Sequence, residues 1–118
     1  MPRQITIANT YTIAANTEQL IKVYRVPAGS RFRLKKVVVI FPPGTENYLL
    51  VSVRYGIRNV CPEQGYVQGE DTTIPLECEF TFESDSEVVV YAKNTDTAES
   101  RTFSIVIIGE ELLAGETT

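Results

Sequence analysis

The residues best suited to chemistry are carboxylates, because the 118-residue chain contains no histidine. Glu77, Glu79 and Glu83 share one face of a strand-like segment, where side chains two positions apart lie about 7 Å from each other. A glycosidase instead needs two carboxyl groups that face each other across a cleft. Histidine, which the chain lacks, is the commonest general base near neutral pH and the commonest metal ligand. The sequence therefore predicts no catalytic residue, no cofactor and no metal site, in a chain that is not an enzyme.

Two further groups have alternative interpretations. Cys61 lies in a loop and Cys78 falls on the apolar face of its strand, so we predict that Cys78 is a small buried hydrophobic residue. A Cys61–Cys78 disulfide is the alternative.

A calcium site would need loop carboxylates to converge, although their spacing matches no known calcium loop. Those carboxylates are Glu70, Asp71, Asp85 and Asp96.

Composition and charge narrow the class of protein. Val, Ile and Thr supply 36 of the 118 residues, which favours a nearly all-β chain. Residues 1–59 hold nine basic and two acidic side chains, whereas residues 60–118 hold two basic and thirteen acidic ones. Either the halves pair inside one sandwich, or a basic and an acidic face complement a neighbouring copy. The net charge of −4 disfavours nucleic acid as a partner.

Alternation of apolar and polar residues predicts the strands. In the third of them Phe32, Leu34, Val38 and Ile40 share one face, and the strand becomes apolar on both faces after Lys36, which indicates a doubly covered region. The predicted strands are Gln4–Ile7, Tyr11–Ala14, Leu20–Val26, Arg31–Phe41, Tyr48–Tyr55, Ile74–Glu83, Glu87–Lys93 and Thr102–Ile108.

About eight strands without a convincing helix predict an all-β fold, a single antiparallel two-sheet β-sandwich. We favour a jelly roll over an immunoglobulin-like sandwich, whose disulfide-plus-Trp signature is absent. Residues 1–109 form the predicted domain and residues 110–118 a C-terminal tail. The predicted inter-sheet core is Phe32, Leu34, Val38, Ile40, Leu49, Val51, Val53, Leu76, Cys78, Phe80, Phe82, Val88, Val90, Phe103, Ile105 and Ile107.

Three features predict contacts with other molecules. The basic cluster is Arg31, Arg33, Lys35 and Lys36, and the acidic strand face is Glu77, Glu79 and Glu83. If these two groups pair between subunits, salt should weaken assembly. If they pair within one sandwich, the size of the oligomer should not depend on salt. Leu112 and Leu113, the apolar pair of the acidic C-terminal tail, either fold back on their own sandwich or dock into a neighbouring subunit. Tyr66, in a loop bracketed by glycines, is a loop anchor or a ligand contact, with carbohydrate as the leading ligand. The predicted interface residues are Arg31, Arg33, Lys35, Lys36, Glu77, Glu79, Glu83, Leu112 and Leu113.

Several segments resemble small β-sandwich virion proteins of bacterial and archaeal viruses. Val26–Val37 is similar to their opening Pro-Ala-Gly turn and basic-apolar strand, and the loop Pro62–Gly69 follows a strand ending at Tyr55-Gly56. Val88–Asn94 and Thr102–Gly109 resemble their closing strands. The resemblance implies a non-enzymatic capsid, decoration, spike or tail-associated protein that forms homo-oligomers and contacts other virion proteins.

The alternative function is a carbohydrate- or ligand-binding module, with a carbohydrate receptor as its partner. No signal peptide and no transmembrane segment is expected, since no apolar run reaches the roughly 18 residues needed to cross a bilayer. We therefore expect no membrane partner. The resemblance to virion proteins implies a location in the virion, assembled in the host cytoplasm.

Overall fold

Eight β-strands make up the regular structure of residues 3–113, the part of the chain described by the computed structural model. They are β1 Arg3–Ile13, β2 Thr17–Arg25, β3 Ser30–Phe41, β4 Leu49–Tyr55, β5 Arg58–Cys61, β6 Thr72–Phe82, β7 Glu87–Asn94 and β8 Arg101–Leu113. One four-stranded sheet, the first sheet, has the order β1-β8-β3-β6, and the second sheet has the order β2-β7-β4-β5. Between residues 3 and 113 no helix is long and apolar enough to cross a membrane.

The strand pairing is nested. Strands β1 and β8, β2 and β7, β3 and β6, and β4 and β5 are antiparallel neighbours, as if one long hairpin had been rolled into two sheets. This is the jelly-roll order, so the predicted fold class is confirmed. The immunoglobulin-like alternative has a different strand order.

The rolled hairpin explains the uneven charge of the two halves of the sequence. Every ladder joins one of the first four strands to one of the last four, so the basic half lies against the acidic half. Lys22 pairs with Glu87 at 3.5 Å, and Arg33 pairs with Glu79 at 3.7 Å. Some of these charges therefore pair inside one sandwich, as the first alternative expects, and a complementary contact with a neighbouring copy stays a prediction.

Inward-facing side chains of both sheets form one core. Phe32 and Phe82, on neighbouring strands, have ring centroids 6.1 Å apart, and Tyr55 meets Phe82 edge-on at 5.3 Å. The partly buried Leu76, Cys78 and Phe80 pack against this core. The predicted core residues that are buried are Phe32, Leu34, Leu49, Val51, Val53, Phe82, Val88, Val90, Phe103, Ile105 and Ile107.

A β-bulge in β3 changes which of its faces is buried. The register with both neighbouring strands shifts at Lys35, an extra residue that reverses the alternation. Beyond it Val37 and Val39 are buried, whereas Val38 is only partly buried and Ile40 is 36% exposed. The prediction that Val38 and Ile40 belong to the core is wrong for this reason.

A disulfide joins Cys61 of β5 to Cys78 of β6, with the two Cα atoms 5.8 Å apart. These strands are the edges of the two sheets, so the bond ties one open side of the sandwich together. The interpretation of Cys78 as simply a small buried hydrophobic residue is wrong. The disulfide alternative is the one that the structure shows.

The last strand is longer than the sequence predicts. Strand β8 continues through Glu110–Leu113, four residues into the predicted tail. Gly109 does not end the strand: a Cβ at this position would lie 2.6 Å from the Phe32 ring, so a glycine lets β8 pass over that ring. The domain boundary drawn at residue 109 therefore falls inside a strand, and residues 114–118 lie outside the described residues.

A buried polar network connects the loops at one end of the sandwich. The Asn94 amide is fully buried and donates to the carbonyl oxygens of Ile13 at 3.0 Å and Glu99 at 2.9 Å. Its oxygen accepts the Asp96 N–H, and the Asp96 carboxylate accepts Nε of Arg101 at 2.9 Å. Because these groups are removed from water, each hydrogen bond prevents the cost of an unpaired buried polar atom.

This network predicts a loss of stability in acid. The Ala98 N–H and the Arg101 guanidinium lower the pKa of Asp96 below its ordinary value of 3.8. The ionised Asp96 carboxylate therefore stabilises the fold fully above pH 3.8, and this stabilisation is lost as the pH falls through the lowered pKa. We expect Asp96→Asn to reduce the denaturant midpoint at pH 7, and the difference from the natural chain to shrink below pH 3.8. Equal midpoints at pH 7, or a constant difference down the pH series, would contradict this role.

The matched control for that experiment is Glu99→Gln. The Glu99 carboxylate lies 3.7 Å from the same guanidinium, but its side chain is 72% exposed. An exposed ion pair contributes little, so this variant should unfold at nearly the natural midpoint at every pH.

Candidate assembly and ligand surfaces

The outer face of the first sheet carries a row of apolar side chains that no part of residues 3–113 covers completely. The register places Ala8 opposite Val106, Val106 opposite Val38 and Val38 opposite Pro75, so the row crosses all four strands. Two isoleucines extend it along β3 and β8. We call this set the apolar row, and its members are Ala8, Val38, Ile40, Pro75, Val106 and Ile108.

The apolar row explains the segment of β3 that is apolar on both faces. The sequence indicates a doubly covered region there, and Val37 and Val39 are indeed covered by the second sheet. On the opposite face Val38 is only partly buried and Ile40 is 36% exposed within a single chain. A row of partly exposed apolar side chains on one face suits a site where another protein binds.

Polar groups border the apolar row on both sides along the strands. On one side the hydroxyl groups of Thr10 and Ser104 are hydrogen-bonded at 2.7 Å. On the other side Lys36 lies opposite Glu77 in the register, and the Lys35 ammonium pairs with Glu110. An apolar centre with a polar rim is the usual anatomy of a protein–protein interface.

The predicted charged interface residues lie on this same sheet. Arg33 pairs with Glu79, and Lys35 and Lys36 have acidic neighbours on β8 and β6. Arg31 is partly exposed on β3, and Glu83 is exposed just beyond the end of β6. Arg33, Lys35 and Lys36 thus have partners or neighbours inside one sandwich. Contact of the predicted charged residues with a second subunit stays a prediction.

The two leucines of the predicted tail have different surroundings. Leu112 is 4% exposed within a single chain and is not one of the inter-sheet core residues. Leu113 is 57% exposed at the end of β8. Contact of Leu113 with a neighbouring subunit stays a prediction.

Glu70 and Asp96, two of the four loop carboxylates, are held by backbone and arginine partners. Glu70 accepts the N–H groups of Glu46 at 2.7 Å and Gly44 at 3.1 Å, which lower the pKa of its carboxyl group. Asp96 is held by Arg101 in the network described above. Among residues 3–113 no group of three or more acidic, cysteine or histidine residues is arranged to hold a metal ion.

Tyr66 lies on the outer face of the second sheet and is 43% exposed. Its ring centroid is 5.4 Å from that of Tyr91, and the Arg54 guanidinium lies 3.9 Å from the centre of the Tyr91 ring. The sequence suggested Tyr66 alone as a ligand contact. Tyr91 and Arg54 join it because β4 and β7 are neighbours, a pairing that the alternation of either strand by itself does not reveal.

Several solved structures with a similar fold come from viruses. The structure of Sulfolobus turreted icosahedral virus contains a chain that is 11% identical, with a TM-score of 0.60; the match covers 98% of this chain and 31% of that one. A chain of the cyanophage Pam1 capsid asymmetric unit is 14% identical, with a TM-score of 0.55 and coverages of 95% and 86%. A chain in a structure of the triple jelly-roll fold and turret assembly in an archaeal virus is 11% identical, with a TM-score of 0.55 and coverages of 95% and 29%.

These likenesses show the fold, which this chain shares with viral capsid proteins. The chain spans less than a third of the two archaeal virus chains, but most of the cyanophage capsid chain. No protein-family model matches the sequence, and no curated protein matches it either.

Proposed function

We propose that the chain is a non-enzymatic virion structural protein that associates with copies of itself through the outer face of the first sheet. The observation that carries the proposal is the apolar row, which crosses a complete jelly-roll sheet and stays partly exposed in one chain. The similarity to the cyanophage capsid chain supports a shell component, since it extends over 86% of that chain. Capsid, decoration, spike and tail-associated positions all fit this description.

The size of the face suits a second copy as the occupant. Four strands about 4.8 Å apart and about eleven residues long, at roughly 3.3 Å per residue, present a surface of roughly 700 Å². Each partner in an interface of standard size contributes about 800 Å². Two such sheets can pack face to face about 10 Å apart, as the two sheets inside a sandwich do. The rim charges are balanced within each face, since Lys36 lies opposite Glu77 and Lys35 pairs with Glu110, so an identical face can approach without net repulsion.

A charged substitution in the apolar row should therefore abolish self-association. Ile40→Lys places an ammonium group within the apolar row, where its desolvation in the contact has no compensating partner. We expect the mass measured by light scattering to fall to that of one chain over the whole concentration range, while the monomer keeps its fold by circular dichroism. The natural chain should form oligomers whose mass is nearly the same at 0.1 M and 1 M NaCl, because the contact is mainly apolar and the charges are paired within each sandwich.

Leu20→Lys is the matched control. Leu20 is an aliphatic residue of the second sheet's outer face and is 62% exposed. This variant makes the same chemical change on the opposite side of the sandwich and should leave the oligomer mass unchanged. Natural-size oligomers in Ile40→Lys, or a natural chain that is monomeric at every concentration, would refute the interface. Oligomers that dissociate at 1 M NaCl would instead favour the charged residues as the main contact.

A further inference from the structure

A shallow depression of about 370 Å³ lies on the outer face of the second sheet, on the opposite side of the sandwich from the apolar row. The register puts Leu20 opposite Tyr91, and Tyr91 opposite Ser52, so three neighbouring strands contribute to this area. The residues that line the depression are Glu18, Gln19, Leu20, Arg54 and Tyr91.

The floor of the depression is a rigid arrangement of an aromatic ring and two charged groups. The Arg54 guanidinium lies 3.9 Å from the centre of the Tyr91 ring, and its Nε donates to Asn59 Oδ1 at 3.0 Å. The Tyr91 hydroxyl donates to Glu18 Oε2 at 2.5 Å. Burial and the neighbouring Glu18 carboxylate raise the pKa of Tyr91 to about 12, so the phenol stays a neutral donor at physiological pH. The carboxylate is thereby held in one place.

Tyr66 adds an exposed aromatic ring beside this floor. Its ring is 43% exposed and lies against Tyr91. The loop that carries it is fixed to β4 by two backbone hydrogen bonds between Val51 and Val67, of 2.9 and 3.0 Å. The Asn59 amide also donates to the Gly65 carbonyl oxygen at 3.3 Å. A ring that is fixed in advance loses little conformational entropy when a ligand binds to it.

An unpartnered hydroxyl group lies beneath the same face. Ser52 is 1% exposed, and its Oγ has no hydrogen-bond partner among residues 3–113. Buried polar atoms almost always have a partner, so such an atom calls for an explanation. Ser52 lies opposite Tyr91 in the register, two residues before Arg54 on β4.

We propose that this depression binds a neutral pyranose unit of a glycan. A pyranose has one face of C–H groups, which suits the exposed ring of Tyr66, and a rim of hydroxyl groups that both donate and accept hydrogen bonds. Glu18 accepts, Arg54 donates and Gln19 does both, so the rim groups of one sugar can all be matched. The opposite charges of Glu18 and Arg54 leave the lining without net charge, which suits a neutral sugar. The site does not depend on the proposed assembly, because it lies on the other sheet.

Binding of methyl pyranosides and of an array of neutral and acidic glycans tests the proposal. We expect at least one neutral pyranoside to give saturation-transfer signals at millimolar concentration, and Tyr66→Ala to raise its Kd at least tenfold. Tyr66→Phe keeps the ring and should bind within about threefold of the natural chain. Glu18→Gln removes the acceptor charge without touching the loop, and should also weaken binding. Ile40→Lys should bind sugar normally even as a monomer.

Two results would overturn the site. One is the absence of any neutral pyranose among the ligands, whether nothing binds or only acidic glycans do. The other is a neutral sugar that binds equally well to the natural chain, Tyr66→Ala and Glu18→Gln, provided that both variants melt at the natural temperature.

Discussion

Replacing Phe82 by alanine should lower the free energy of unfolding by about 3–5 kcal/mol. Phe82 is fully buried at the centre of an aromatic cluster, edge-on to Tyr55 at 5.3 Å and to Phe80 at 5.0 Å, and 6.1 Å from Phe32. Truncation removes the transfer free energy of the ring and leaves a cavity that rigid strands cannot fill by moving. Denaturant unfolding followed by circular dichroism measures the loss.

Ile40→Ala is the control variant for Phe82→Ala. Alternation alone puts Ile40 in the core, but the β3 bulge turns it outward, where it is 36% exposed. We therefore expect its truncation to cost less than about 1 kcal/mol in the monomer, since substitutions at exposed sites have small effects. Similar losses for Phe82→Ala and Ile40→Ala, or a loss below about 1 kcal/mol for Phe82→Ala, would mean that the inward face is assigned incorrectly.

Removing the disulfide should cost about 2–4 kcal/mol. Cys61 and Cys78 are 17 residues apart, and closing a loop of about that length restricts the unfolded chain enough to stabilise the native state by about 3 kcal/mol. In the folded chain the bond joins the edge strands β5 and β6 of the two sheets. We expect the double variant Cys61→Ser, Cys78→Ser to melt well below the natural chain in calorimetry.

Dithiothreitol supplies the control for this prediction. It should lower the melting temperature of the natural chain towards that of the double serine variant, and should not affect the variant itself. A natural chain that melts at the same temperature with and without reductant, although thiol titration shows complete reduction, would contradict a stabilising role for the bond.

Alternation predicts strands well where the backbone is regular and fails where one residue is inserted. The core residues of β4, β7 and β8 follow directly from the sequence, because each of these strands keeps its period of two. The bulge at Lys35 adds one residue to β3, and no local signal distinguishes it from its basic neighbours. The predicted strands Gln4–Ile7 and Tyr11–Ala14 form one continuous strand, β1, because pairing with β8 overrides the polar residues between them.

Pairings between segments that are distant in the sequence explain the remaining differences between the predicted and the observed structure. The four-residue strand β5 has too few residues to show a period, and it forms only because β4 offers an edge. The disulfide depends on β5 and β6 lying at neighbouring edges, which the spacing of the cysteines does not determine. The same limit applies to the surfaces: Ile40 and Tyr66 are recognisable in the sequence, but the neighbours that make each one part of a surface come from other strands.

Electron cryomicroscopy of the assembled protein tests the central proposal most directly. At a resolution that shows side chains, we predict that the apolar row of one subunit faces the apolar row of its neighbour, with Val38, Ile40 and Val106 excluded from solvent. The second sheet, with Tyr66, should remain on the outside of that contact. Assemblies in which the outer face of the first sheet is open to solvent, or samples that contain only single chains, would contradict the proposal.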